Sequence, residues 1–161
     1  MKRLFLLCLC CFLLTACSRI PSPQSQFPSV TATEVPTEAA GQSFLVYRGD
    51  DNAEFFLSEE VFVTEINEVV VTDQLIAAGI LSEDTAVISI CLEGTELTID
   101  FNQAFADRVC SMGTSGERII VGSTVNTFLS AYGASSVRFT VNGEILESGH
   151  VIYDFPLEFM Q

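Results

Sequence analysis

The chain has 161 residues, 7 Lys and Arg against 21 Asp and Glu, a formal net charge of -14, 48% hydrophobic residues and no tryptophan. That length suits one ordinary domain and little more, and the apolar content excludes a wholly disordered chain. The acid excess argues against nucleic acid as a partner, because gripping a phosphate backbone needs cations to displace its counterions.

At the start, Lys2 and Arg3 precede an apolar run at residues 4–14, and Thr15-Ala16-Cys17 follows. A basic start, a short apolar core and small residues before a cleavage point make a secretory signal, and the core falls short of the roughly 20 residues needed to span a bilayer. Leu14-Thr15-Ala16-Cys17 has the form of a bacterial lipobox. The expectation is a lipoprotein signal peptide over residues 1–16, with Cys17 lipidated and carrying a palmitate-type acyl group. Two acyl chains on one cysteine anchor stably where one is marginal, which places the protein on the extracytoplasmic side of the cell membrane without a transmembrane helix. After cleavage, Arg19, Arg48, Arg108, Arg118 and Arg138 are five cations against all 21 acids, a balance of -16 with no lysine. Such a surface is repelled by anionic headgroups. The lipid on Cys17, not charge, must therefore hold it to the membrane, and its natural partners are neutral or basic. Cys8, Cys10 and Cys11 leave with the signal. The remaining pair, Cys91 and Cys110, suits either a disulfide, which an exported compartment permits, or two buried free thiols.

Residues 18–42 hold Pro21, Pro23, Pro28 and Pro36 among Ser, Thr, Gln and Ala. With the lipidated Cys17 they read as a tether over residues 17–42, about 25–30 Å long as a coil and about 80 Å when drawn out. The folded module is then residues 43–161.

Within it, residues 43–48 read as a strand, 49–52 as a turn, and 61–66 as a second extended segment with apolar residues at alternate positions. Thr72 or Asp73 can cap a short helix through Ala78 that stops at Gly79. Residues 86–92 and 96–101 flank Glu93-Gly94 as a hairpin, with Leu97, Ile99 and Phe101 on one face and Thr98 and Asp100 on the other. Thr114-Ser115-Gly116-Glu117 has capping-box spacing and opens the strongest helix, whose stripe of Val121, Val125, Phe128, Leu129 and Tyr132 ends at Gly133. Val137, Phe139 and Val141 alternate into Asn142-Gly143, a pair suited to a type I′ turn. The expected class is α+β: a single small domain with an antiparallel or mixed sheet packed against two helices, the longer one near residues 115–132.

That helix has a second face. No charged residue occurs between Arg118 and Arg138, and Ile120, Ser123, Thr127 and Ser130 gather opposite the apolar stripe. Surface helices rarely lack charge, so either another part of the same domain covers this face, or it is a candidate interaction face for a partner or a second copy.

Enzyme chemistry finds little support. Gly113-Thr114-Ser115-Gly116-Glu117 departs from the Gly-x-Ser-x-Gly nucleophile elbow, and the lone His150 stands without a catalytic constellation. Residues 50–54 alternate oxygen ligands as a calcium loop does, but Phe55 stands where glycine is required. No zinc-type spacing or phosphate loop occurs. The expectation is a protein that is not an enzyme, with no catalytic residues, no metal and no cofactor.

The blocks Leu97-Thr98-Ile99-Asp100-Phe101-Asn102, residues 113–117, Ser123-Thr124-Val125-Asn126-Thr127-Phe128-Leu129 and residues 137–143 resemble in order and spacing the GerMN domain of sporulation and spore germination lipoproteins, from about residue 84 to the C-terminus. The resemblance implies a non-catalytic α+β interaction module that helps assemble a cell-envelope or sporulation and germination complex with an envelope protein partner. It also marks Asp100, Glu117, Asn126 and Gly143 as structural positions. Asp100 is expected to accept backbone donors where its strand turns into Asn102. The alternative is a module that binds peptidoglycan, and behind it an accessory to a cell-wall hydrolase.

Overall fold

The computed structural model describes residues 41–161; the expected signal peptide, Cys17 and the tether up to residue 40 lie outside the described residues. The first element, β1 (Gln42–Gly49), pairs antiparallel with β2 (Phe56–Val63). Gln42, read as the last tether residue, is thus the first of a strand. The turn is closed by Asp50, whose Oδ1 accepts the amides of Glu54 at 2.7 Å and Phe55 at 2.9 Å, with Ala53 left-handed at φ 57°. Because the turn is this compact, the return strand starts at Phe56, five residues before the segment expected at 61–66.

Helix α1 (Glu68–Ala77) also starts early, capped by Asn67, whose side chain accepts from the Val70 amide at 3.0 Å. Thr72 is no cap; its hydroxyl donates to the Glu68 carbonyl in mid-helix. Three successive valines read as extended by local preference, but burial of Val71 and Leu75 outweighs that preference. Gly79, at φ 73°, stops the helix. Arg108 covers the end, donating from Nε to the Ile80 carbonyl at 3.0 Å and from its guanidinium to the Gly79 carbonyl at 3.2 Å.

Strands β3 (Val87–Glu93) and β4 (Glu96–Phe101) form the expected hairpin, with Glu93 opposite Glu96. A further helix, α2 (Gln103–Cys110), follows directly, burying Phe105 and Val109 one turn apart. Its N-cap, Asn102, spends its side chain on the loop before β3, accepting from the Ala86 amide and donating to the Asp84 carbonyl. Helix α3 (Thr114–Tyr132) is the long one, ended by Gly133 at φ 63°. The expected capping box does not form. Gly113 is the N-cap, Thr114 is already helical, and Glu117 is turned inward.

The two-helix crossover returns the chain to β5 (Ser136–Val141), which lies parallel to β4 in register Leu97 to Val137 and Ile99 to Phe139. Asn142 and Gly143, at φ 51° and 81°, turn it into β6 (Glu144–Ile145). The main sheet is therefore mixed, in the order β3-β4-β5-β6, and the domain is α+β as the alternation of periods implied.

Leu97, Ile99, Phe101, Val137 and Phe139 form the floor of the core, each at most 1% exposed. Phe101 stacks on Phe105 at 4.2 Å between centroids and meets Phe128 and Phe139 edge to face. Beyond β6 the chain crosses back over the domain, anchored by Leu146, Tyr153 and Leu157, with Val137 and Leu157 exchanging backbone bonds.

Candidate functional site

The uncharged face of α3 is not a surface. Ile120, Ser123 and Thr127 are at most 2% exposed, and β1 runs along the helix with its outward amides aimed at the hydroxyls. Tyr47 donates to Thr127 Oγ1 at 2.9 Å, and Leu45 donates to Ser130 Oγ at 2.9 Å. A charged side chain here would displace the strand, and a purely apolar one would strand two amides. Of the two accounts of this face, cover by the same domain is the one observed, and the candidate interaction face is corrected accordingly.

The positions marked by the family resemblance sit in the scaffold. Asp100 Oδ1 accepts from Thr140 Oγ1 at 2.7 Å and from the Gly143 amide at 2.8 Å. It braces the β5–β6 turn across the sheet, not the passage into Asn102, because the parallel register sets Asp100 beside Thr140. Asn126 exchanges two 2.8 Å bonds with the backbone of Met160, acting as a strand partner from within a helix. Glu117 is 3% exposed, and its Oε1 accepts from Tyr153 OH at 2.6 Å and Ser148 Oγ at 2.5 Å. Together Asn126 and Glu117 fasten the C-terminal crossing segment to α3.

Cys91 and Cys110 are free and exposed, neither bridged nor buried. Although Cys110 is exposed, partial desolvation of its thiol, then the negative charges of Glu117 and Asp107, push it up, which lowers its reactivity at neutral pH. His150 and Ser115 are exposed, and among the described residues no group of three or more His, Cys, Asp or Glu is placed to hold a metal.

What remains at the surface is an aromatic face on the outer side of the β1–β2 hairpin. Register puts Ser43 opposite Phe62, Leu45 opposite Glu60 and Tyr47 opposite Ser58, so Leu45, Tyr47 and Phe62 share one side of it. Phe62 is 76% exposed and Phe159 is 52% exposed. The ring of Tyr47 meets Phe159 edge to face at 5.5 Å, and the Asn126 bonds to Met160 hold Phe159 in place from the next residue. Beside this pair lies an open depression of about 330 Å³, lined by Tyr47, Phe159, Asn126, Leu129, Ser130 and Ser135. One hint of this face is legible in the residues: Phe62 has the opposite phase to Val61 and Val63, which pack on the core.

This architecture, a mixed four-stranded sheet carrying a two-helix crossover and flanked by a separate hairpin, defines an α+β module of GerMN type. The family described as Germane, sporulation and spore germination, matches residues 45–147, and the chain belongs to that family. The tandem GerMN domains of the sporulation protein GerM from Bacillus subtilis superpose with a TM-score of 0.55 at 16% identity, covering 81% of this chain and 50% of that one. The chain thus spans about half the length of that tandem structure. A candidate lipoprotein from Clostridium perfringens aligns with a TM-score of 0.45 at 16% identity, over 73% of this chain and 87% of that one. No curated protein matches.

Proposed function

We propose that the protein is a lipid-anchored, extracytoplasmic interaction module that docks an envelope protein during assembly of a cell-envelope, sporulation or germination complex. The observation that carries this reading is the outward face on which Phe62 and Phe159 are exposed and Leu45 and Tyr47 are half-buried. Large apolar and aromatic side chains left in water are costly and are enriched where proteins meet. The acid excess selects a neutral or basic partner. Cys17 supplies the anchor, and among the described residues no helix is long and apolar enough to cross a membrane.

A photocrosslinking residue placed at position 62 in the full-length chain in cells should capture a discrete envelope protein, while one at the exposed position 73 on α1 should not. Equal capture from both positions, or from neither, overturns the reading. The peptidoglycan reading has one observation in its favour, the Tyr47–Phe159 wall beside the Ser130 and Ser135 hydroxyls, since sugar rings stack on aromatic faces and bond to hydroxyls. Retention on insoluble peptidoglycan, lost in Phe159→Ala, would put that reading first.

A further inference from the structure

The opposite side of the hairpin carries a second feature that neither the family nor the aromatic face accounts for. Two abutting depressions run between the hairpin, α1 and the start of α3. One of about 180 Å³ is lined by Val46, Arg48, Glu59, Val61, Gln74 and Ala78. The next, of about 270 Å³, shares Arg48 and Ala78 with it and adds Arg108, Ile80, Met112 and Ile119. Two of the four arginines among the described residues therefore line one groove in a chain whose surface is otherwise dominated by acids.

The other arginines are occupied. Arg138 pairs with Glu96 at 3.4 Å, and Arg118 lies over the Phe56 ring and donates to the Glu54 and Gln161 carbonyls. Arg108 spends three of the five guanidinium N–H donors on Ile80, Gly79 and Met112, leaving two. The Arg48 guanidinium has no hydrogen bond and no ion pair among the described residues, although 21 acids are available in the chain. Asp50 also lines the groove, but its Oδ1 is turned to its own turn's amides.

From this geometry we infer a binding site for the C-terminal tail of a protein: a free C-terminal carboxylate held by Arg48 and the spare donors of Arg108. A small apolar last residue fits against Ile80 and Ile119. The preceding residues lie in the adjoining depression, where Glu59 and Gln74 favour a basic side chain. Guanidinium pairs bind carboxylates through two parallel hydrogen bonds, which makes the contact selective for the anion over its amide. The groove is independent of the aromatic face, so either can fail without the other.

The test is isothermal titration of the full-length chain in detergent with acetyl-Lys-Ala-Ala as its free acid, as its C-terminal amide, and as the acid built from D-alanines. The free acid should bind with saturation, and the amide should bind about tenfold more weakly or not at all. Arg48→Gln should cost a similar factor at an unchanged melting temperature, because Arg48 is exposed and holds nothing else in place. The L-form should bind at least as tightly as the D-form, as a protein tail requires; a preference for the D-form would overturn the protein tail and assign the ligand to a wall peptide. No saturable binding of any form, equal binding of acid and amide, acetate binding as tightly as the tripeptide, or an Arg48→Gln variant that binds unchanged would overturn the site.

Discussion

Single residues hold the C-terminal crossing segment. Glu117 is buried with Oε1 accepting from Tyr153 and Ser148, while its Oε2 has no partner among the described residues. Burial first, then the hydrogen bond to Glu117 and its charge, raises Tyr153 well above the ordinary tyrosine value of 10.0. A group raised in the folded state contributes stability that is complete below its unfolded value and is lost as pH rises through and beyond it. Unfolding midpoints in urea should therefore hold steady up to about pH 9, begin to fall there as the raised Cys110 thiol comes into play, and fall more steeply above about pH 10. In a Cys110→Ser background, which removes the other raised group of this cluster, Tyr153→Phe should make that alkaline fall shallower while lowering stability at neutral pH. Asp100 gives a second prediction. Asp100→Asn keeps an acceptor for Thr140 and Gly143 but removes its charge, and since bonds to ionised acceptors are roughly twice as strong as neutral ones, it should cost about 1 kcal/mol in chemical denaturation.

At the scale of elements, the hairpin and α3 define each other. Thr127→Val preserves volume but leaves the Tyr47 amide without its acceptor, a loss of about 1–3 kcal/mol. Ser130→Ala should cost less because Ser130 is only half-buried. Where the helix passes under the hairpin turn, Gly122 admits the Phe56 ring, and a Cβ there would lie 2.8 Å from Phe56 Cε1. Gly122→Ala should displace that ring and lower stability by about 1–3 kcal/mol. Phe56→Ala combined with it should recover part of the clash cost, giving a double-mutant coupling that independent sites would not show.

For the whole molecule the acid excess sets the response to solvent. With 21 acids against 7 basic residues, repulsion between like charges opposes the compact state, and added salt screens it once the Debye length falls to about 10 Å near 0.1 M. Melting temperature should rise from low salt to about 0.1 M and then level off. A protein whose charges were mainly paired would show the opposite slope, and only one ion pair is present among the described residues.

Elements whose signals are local were legible in the residues alone. The Gly94 and Asn142-Gly143 turns, the stop at Gly133 and the alternation of Leu97, Ile99 and Phe101 depend on backbone conformation and on a period of two, and all are found where the residues put them. The same residues carried the family resemblance, which rested on the half of the chain with the clearest periodicity. Tertiary structure decided the rest. α1 begins at Glu68 because Val71 and Leu75 are buried, against the extended preference of a valine run. α2 is too short to announce itself in eight residues and is held by Phe105 in the aromatic core. The missing charges of α3 were visible in sequence, but their cause was not: a strand some 80 residues earlier lays its amides on Thr127 and Ser130. A run of neutral polar residues looks the same whether it meets a partner or its own chain, and only the folded path of β1 distinguishes them. The exposed Phe62 and the unpaired Arg48 belong to the same class, since exposure and lack of a partner are properties of the assembled surface and not of the residues that make it.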